Sequence, residues 1–126
     1  MSCDRLLSNV DFLPTLADIA DIPIPENVEG RSFAWTLPAT SAACDDPRDT
    51  VYAMFSYVHT YCARTAAYKI VREFSETPST ELYDLREDPL ELRNVADDPG
   101  YSAARADMEE RLTGWLEAVG DPIEKG

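Results

Sequence analysis

The chain predicts an α+β fold: a small antiparallel sheet of about four strands packed against a C-terminal helix, preceded by an N-terminal helix and a Pro-rich connector. Three observations predict it. Residues 50–58 alternate, with Val51, Ala53, Phe55 and Tyr57 on one face against Tyr52, Met54, Ser56 and Val58 on the other, the period of a strand. Residues 62–66, 68–74 and 81–85 are short runs of strand-forming residues divided by turn-like segments. Tyr101, Ala104, Met108, Leu112, Trp115 and Val119 recur at spacings of three and four, which lays one apolar stripe along a helix.

Taken in order, Asp11 is placed to cap a helix running to about Ala20, with Phe12, Leu16 and Ile19 along its apolar stripe. Pro14 fits there because first-turn N–H groups have no intrahelical acceptor. Residues 22–49 are rich in Pro, Asp and Ser and read as connector, with Phe33, Trp35 and Leu37 as anchors onto a larger body. Residues 62–66 and 68–74 form a hairpin across Ala66-Ala67, and Pro78 and Ser79 break the run before a fourth strand at 81–85. Asp88-Pro89-Leu90-Glu91 reads as a compact helix start. Asp88 would accept a free backbone N–H, Pro89 suits the first helical position, and Glu91 would reach back to the cap. Asn94 is a residue that tolerates a left-handed stop. Gly120 with Pro122 ends the last helix.

Composition narrows the function. A chain of 126 residues is long enough for one domain burying about two-thirds of its unfolded surface, and 44% hydrophobic content excludes wholesale disorder. Twenty-four acidic residues against eleven basic ones give a net charge of −13. Such a chain is repelled by phosphate backbones, which sets nucleic-acid binding aside. Only Lys69 and Lys125 are lysines. Acidity with Arg over Lys suits either a halophile with high internal salt or an acidic surface kept for solubility. No apolar run approaches the roughly 18 residues of a membrane span, and no signal-peptide pattern opens the chain, so the default expectation is a soluble, cytoplasmic protein without a membrane partner. The three cysteines form no close-spaced pair and read as reduced, mostly buried thiols.

Residues 81–99, with Leu82-Tyr83-Asp84-Leu85, Asp88-Pro89, Glu91, Asn94-Val95-Ala96 and Asp98-Pro99, resemble the C-terminal subdomain of type I sulfatases, the formylglycine-dependent sulfuric ester hydrolases of the alkaline phosphatase superfamily. Upstream, Val10-Asp11-Phe12-Leu13-Pro14-Thr15-Leu16 resembles the helix that closes the family's catalytic domain. Glu29-Gly30-Arg31-Ser32-Phe33 is similar to the loop after it, and Ala63-Arg64-Thr65 and Tyr68-Lys69-Ile70-Val71 to two family strands. One departure is Asp21, where the family commonly has a helix-ending Gly. The resemblance implies two parts: residues 1–49 as the end of a catalytic domain and residues 50–126 as the C-terminal subdomain.

The family's nucleophile is a Cys in Cys-x-Pro-x-Arg, converted to formylglycine beside a divalent metal (Ca or Mg). Cys44-Asp45-Asp46-Pro47-Arg48 comes nearest, but its Pro is one place late and it follows the Pro-Thr helix instead of preceding it. Asp45-Asp46 and Asp97-Asp98 sit in Pro-flanked, turn-like contexts, where capping carboxylates are expected. No catalytic residue, metal ligand or cofactor is therefore assigned to this chain, and it is expected to be inactive alone. His59, between two strands, is a candidate to contact substrate. Arg64 is a second, able to clamp a carboxylate or sulfate, or else to pair with Glu73 or Glu81 across the sheet. The reading chosen is the C-terminal part of a sulfatase, completing the substrate pocket and packing on a catalytic domain in cis or as a split chain, with self-association when that domain is missing. The alternatives are a stand-alone interaction module derived from that subdomain and the tail of a related phosphonate or phosphodiester hydrolase.

Overall fold

Alternating residues between 50 and 84 hydrogen-bond into four antiparallel strands in the order in which they occur. A computed structural model of the chain describes residues 5–37, 48–55 and 59–120. The strands are Val51–Phe55 (β1), Thr60–Arg64 (β2), Tyr68–Glu73 (β3) and Ser79–Asp84 (β4), and the sheet order is β1-β2-β3-β4. Register places Ala63 opposite Ile70 and Ile70 opposite Leu82, and none of the three is exposed. The helix Ser102–Val119 (α2) covers this row with Met108, Leu112 and Leu116, joined by Tyr61, Val95 and Ala96 in one cluster. Each of the larger aliphatic side chains among them, Ile70, Leu82, Met108, Leu112 and Leu116, contributes roughly 1.5–3 kcal/mol by leaving water. Trp115 stacks on Tyr52 with ring centroids 4.9 Å apart. The helix stops at Gly120, whose φ of 68° gives a left-handed cap.

The hairpin between β2 and β3 turns on Thr65. Its hydroxyl accepts from the N–H groups of Tyr68 (2.9 Å) and Ala67 (3.2 Å), and its own N–H donates to the Tyr68 carbonyl at 2.8 Å. The threonine after Arg64 thus has a local reason to be there. Pro78 directly precedes β4 and lets the strand begin at Ser79, two residues earlier than the sequence predicts.

The chain divides into two compact units, Met1–Asp49 and Thr50–Gly126. In the first, Asp11 differs from its expected role. The helix Phe12–Ile19 (α1) receives no side-chain cap from it. A 3-10 turn at Asn9–Asp11 precedes α1, and the Asp11 carboxylate reaches back to the Ser8 N–H at 2.7 Å and across to the Arg31 N–H at 2.9 Å. Arg48 completes the shell, with Nη1 and Nη2 at 2.5 and 3.0 Å from the two carboxylate oxygens. Thr15 repeats the device: its hydroxyl donates to the Asp11 carbonyl (2.6 Å) and accepts from the Phe33 N–H (3.0 Å). The Asp11…Thr15 and Gly30-Arg31-Ser32-Phe33 motifs are two halves of one lock. Past α1, Asp21 enters the left-handed region with φ 54°, and the Ile22 N–H returns to the Ala17 carbonyl at 2.9 Å.

The stripe of α1 differs too. Phe12, Leu16 and Ile19 are 60%, 63% and 52% exposed, and the buried side is Pro14 and Thr15. Of the anchors, Phe33 meets Phe12 edge-on at 5.6 Å, and Leu37 is 38% exposed. Cys44 to Pro47, Tyr57 and Pro122 lie outside the described residues.

Candidate functional site

The face of the sheet opposite α2 carries the polar groups worth weighing. Strand alternation puts Arg64, Lys69 and Tyr83 in one row there, since Arg64 pairs with Lys69 and Lys69 with Tyr83. Over this row lies Glu91, with Oε2 2.5 Å from Lys69 Nζ and Oε1 3.4 Å from Arg64 Nη1. Neither Glu73 nor Glu81 stands in register with Arg64: they lie opposite Thr60 and Val71. Arg64 is a substrate candidate already engaged, loosely, by a carboxylate of its own chain. Tyr83 donates to Glu81 at 2.8 Å, and that bond, with burial, pushes its pKa up to about 12. Cys62, one row along, has its thiol pKa raised chiefly by burial, which keeps it protonated and poorly nucleophilic.

Glu91 can reach both cations because the backbone at 88–94 is not helical. The Glu91 N–H closes a turn onto the Asp88 carbonyl at 3.1 Å, and Glu91 itself takes φ 58°. Asp88 accepts from the Arg93 N–H (2.8 Å) and caps no helix; Pro89 lies inside the turn. The left-handed residue is Glu91, and Asn94 does something else. Its Oδ1 accepts from Leu82 N–H (3.0 Å) and Ala96 N–H (2.9 Å), and its Nδ2 donates to the Thr80 carbonyl (3.2 Å). With the Val95 N–H on the Leu82 carbonyl (2.9 Å), the side-chain amide closes the outer edge of β4 as another strand would. The helical cap that sequence assigns to Asp88 belongs to Asp98, which accepts from Gly100 N–H at 2.9 Å ahead of α2. Asn94→Ala removes an acceptor from two backbone donors and is expected to cost about 1–2 kcal/mol. Asp88→Ala, at an exposed bond, should stay within about 0.5 kcal/mol. Urea midpoints in the opposite order would refute this assignment of the turn.

His59 sits at the β1–β2 end of the sheet with φ 48°, its side chain exposed and its carbonyl accepting from Phe74 N–H at 3.0 Å. The two substrate candidates therefore occupy different places: His59 precedes the first residue of β2, and Arg64 is its last. Among the described residues, no three His, Cys, Asp or Glu side chains converge to hold a metal ion. No described helix is long and apolar enough to cross a membrane.

Residues 1–118 match the family model described as N-sulphoglucosamine sulphohydrolase, C-terminal. An uncharacterized protein of Haemophilus influenzae is 32% identical over 125 residues, covering 96% of this chain and 62% of that protein. The Delta 4,5-hexuronate-2-O-sulfatase of Bacteroides thetaiotaomicron is 34% identical over 119 residues, 90% of this chain but 24% of that enzyme. Among solved structures, a 2-O GAG sulfatase superposes with a TM-score of 0.79 at 31% identity, over 96% of this chain and 27% of its own. The chain thus spans about a quarter of the sulfatases it resembles and under two-thirds of the bacterial relative.

Proposed function

The chain belongs to the N-sulphoglucosamine sulphohydrolase C-terminal family, and from that premise we propose that it completes the substrate pocket of a sulfatase and packs on the catalytic portion of that enzyme. The observation that carries the docking half is the outer side of α1 and its flanks. Val10, Phe12, Leu13, Leu16 and Ile19 are each at least half exposed, and Ile22 follows at 60%. A contiguous apolar surface of this kind marks an interface. The catalytic portion is the occupant because the sulfatases that share this region are about four times longer than the part matched. Formylglycine and the divalent metal belong to that portion in the family's chemistry. Here His59, and Arg64 once released from Glu91, act as substrate contacts, binding a hydroxyl or an anionic group without touching the sulfur.

A covering partner in trans has one specific support. In the Haemophilus influenzae relative this region makes up 62% of the protein, which leaves little room for a catalytic domain in the same polypeptide. In both versions the chain alone is inert. Purified protein with 4-nitrophenyl sulfate and Ca²⁺ or Mg²⁺ is expected to release nitrophenol at the buffer rate, because no positioning effect substitutes for a nucleophile. Turnover proportional to protein and abolished by Cys44→Ala would overturn the reading.

A further inference from the structure

The two edges of the sheet are finished differently. At β4 the Asn94 side chain and the Val95 N–H cover outer backbone groups of Thr80 and Leu82. At β1 the sheet ends: among the described residues no strand pairs with its outer side. An edge strand leaves alternate N–H and C=O groups without a ladder partner, and proteins blunt such edges with charge, proline or a bulge. β1 carries none of these. Val51–Phe55 holds no charged residue and no proline in a chain that is 28% charged. Its register with β2 runs one-to-one, from Val51 opposite Arg64 to Phe55 opposite Thr60. Met54 and Phe55 are 51% and 64% exposed. On a chain whose net charge is −13, a neutral open strand offers a second copy an approach with no carboxylate in the paired segment.

We propose that two copies of the chain pair antiparallel through β1, joining their two sheets edge to edge into one. The strand is self-complementary about Ala53. A two-fold axis there sets Val51 opposite Phe55 of the second copy, Tyr52 opposite Met54, and Ala53 opposite itself. Every pair is apolar and lies on one face. On the α2 side a thioether meets Tyr52, the ring already stacked on Trp115. On the other side an aromatic ring meets a β-branched residue, and the smallest side chain stands on the axis, where two copies of one residue must meet. The contact closes at two copies, because it is isologous and the β4 edge is already covered. It uses no residue of α1, the helix proposed to meet a catalytic portion, and so goes beyond that reading.

The test is sedimentation velocity of the full chain over a concentration series at about 0.1 and about 1 M NaCl, where the screening length falls from about 10 to about 3 Å. A monomer–dimer equilibrium is expected, with a dissociation constant on the order of 100 µM for so short an interface. It should tighten severalfold at the higher salt, as repulsion between two strongly acidic chains is screened. Ala53→Lys sets two ammonium groups face to face on the axis and should weaken pairing about tenfold or more. Because lysine makes the chain less negative, general repulsion predicts the opposite change. Leu16→Lys, on the outer side of α1, should not weaken the dimer. Hydrogen exchange gives a readout that needs no variant: β1 amides should slow with rising concentration while β3 amides hold constant. A chain that stays monomeric, or an association weakened by salt, would overturn the pairing. So would a dimer that survives in folded Ala53→Lys, one lost in Leu16→Lys, or β1 exchange independent of concentration.

Discussion

Gly30→Ala is expected to unfold the Met1–Asp49 unit. A Cβ at residue 30 would lie 2.0 Å from the Val10 carbonyl oxygen and 2.5 Å from its carbon, with the Asp11 nitrogen at 3.0 Å. All three are backbone atoms at the entry to α1, so no side-chain rotation relieves the overlap. Moving residue 30 away would stretch the neighbouring bonds that bind the loop to the helix, Arg31 N–H to Asp11 and Phe33 N–H to Thr15. The cost should reach about 3 kcal/mol or more, the upper range for forced overpacking. The same substitution at Gly114, where nothing lies within 4 Å inside α2, should stabilise by up to about 1 kcal/mol through helix propensity alone. The chain's two tryptophans divide between the units, Trp35 in one and Trp115 in the other. A Trp115→Phe background therefore leaves Trp35 fluorescence as the reporter of the first unit. A Trp35 urea midpoint unmoved by Gly30→Ala would mean the loop does not seat on α1 as described.

That close approach is invisible to periodicity, and it shows where sequence reasoning stops. The sheet and α2 were legible because their signals are local: alternation in β1, two strand runs meeting at Ala66-Ala67, and a stripe ending at a glycine. Even there Leu116, fully buried, escaped the stripe as read, while Val119, counted in it, is 43% exposed. The segment 88–94 was misread as helical because Asp-Pro-x-Glu satisfies every local rule of a helix start. What overrides those rules is tertiary. Val95 and Ala96 are drawn into the core under α2, and the Asn94 amide bonds to Leu82 and Thr80 twelve and fourteen residues back. A helix through 88–94 would have to give up that pairing.

For the two candidate residues, position in the sheet was legible and partners were not. His59 falls in the hairpin as expected, yet its positive φ could not be foreseen in a non-glycine residue. Arg64 was read as pairing along the sheet, whereas its partner Glu91 comes from a turn 27 residues on. Register decides that, and register is a property of the assembled sheet. Phe55 was counted on the correct face of β1, with nothing in the sequence to say that this face would leave it open. The stripe of α1 gives the clearest case. Amphipathic spacing announced an apolar face, and the structure leaves that face exposed, the face we propose packs on the catalytic portion of a sulfatase.

Asp11→Asn should be nearly as damaging as Gly30→Ala, and its effect should depend on pH. The carboxylate is 1% exposed and gathers residues 8, 31 and 48 around one charge. Burial alone would raise its pKa. The hydrogen bonds from Arg48, from the Arg31 and Ser8 N–H groups, and the charge of Arg48 outweigh that and hold it below its ordinary 3.8. A folded-state pKa below the unfolded one means stabilisation in full above the unfolded value, lost as pH falls through the folded value. The Trp35 midpoint should therefore hold at neutral pH and decline as acidification passes the ordinary carboxylate value of 3.8 and continues below it. Asparagine keeps the shape but offers one acceptor oxygen and no charge to a site built for two oxygens. Removing one member of a buried ion pair costs about 3–5 kcal/mol, so the variant should start low at pH 7 and show a flatter acid limb. Asp84, lowered chiefly by its hydrogen bond from Arg86, gives the second unit an acid limb of the same sign. Trp115 should follow that limb unchanged in Asp11→Asn. Equal pH dependence of Trp35 in variant and wild type would show that Asp11 does not hold the first unit together, and that the lock lies with Thr15 and Gly30 alone.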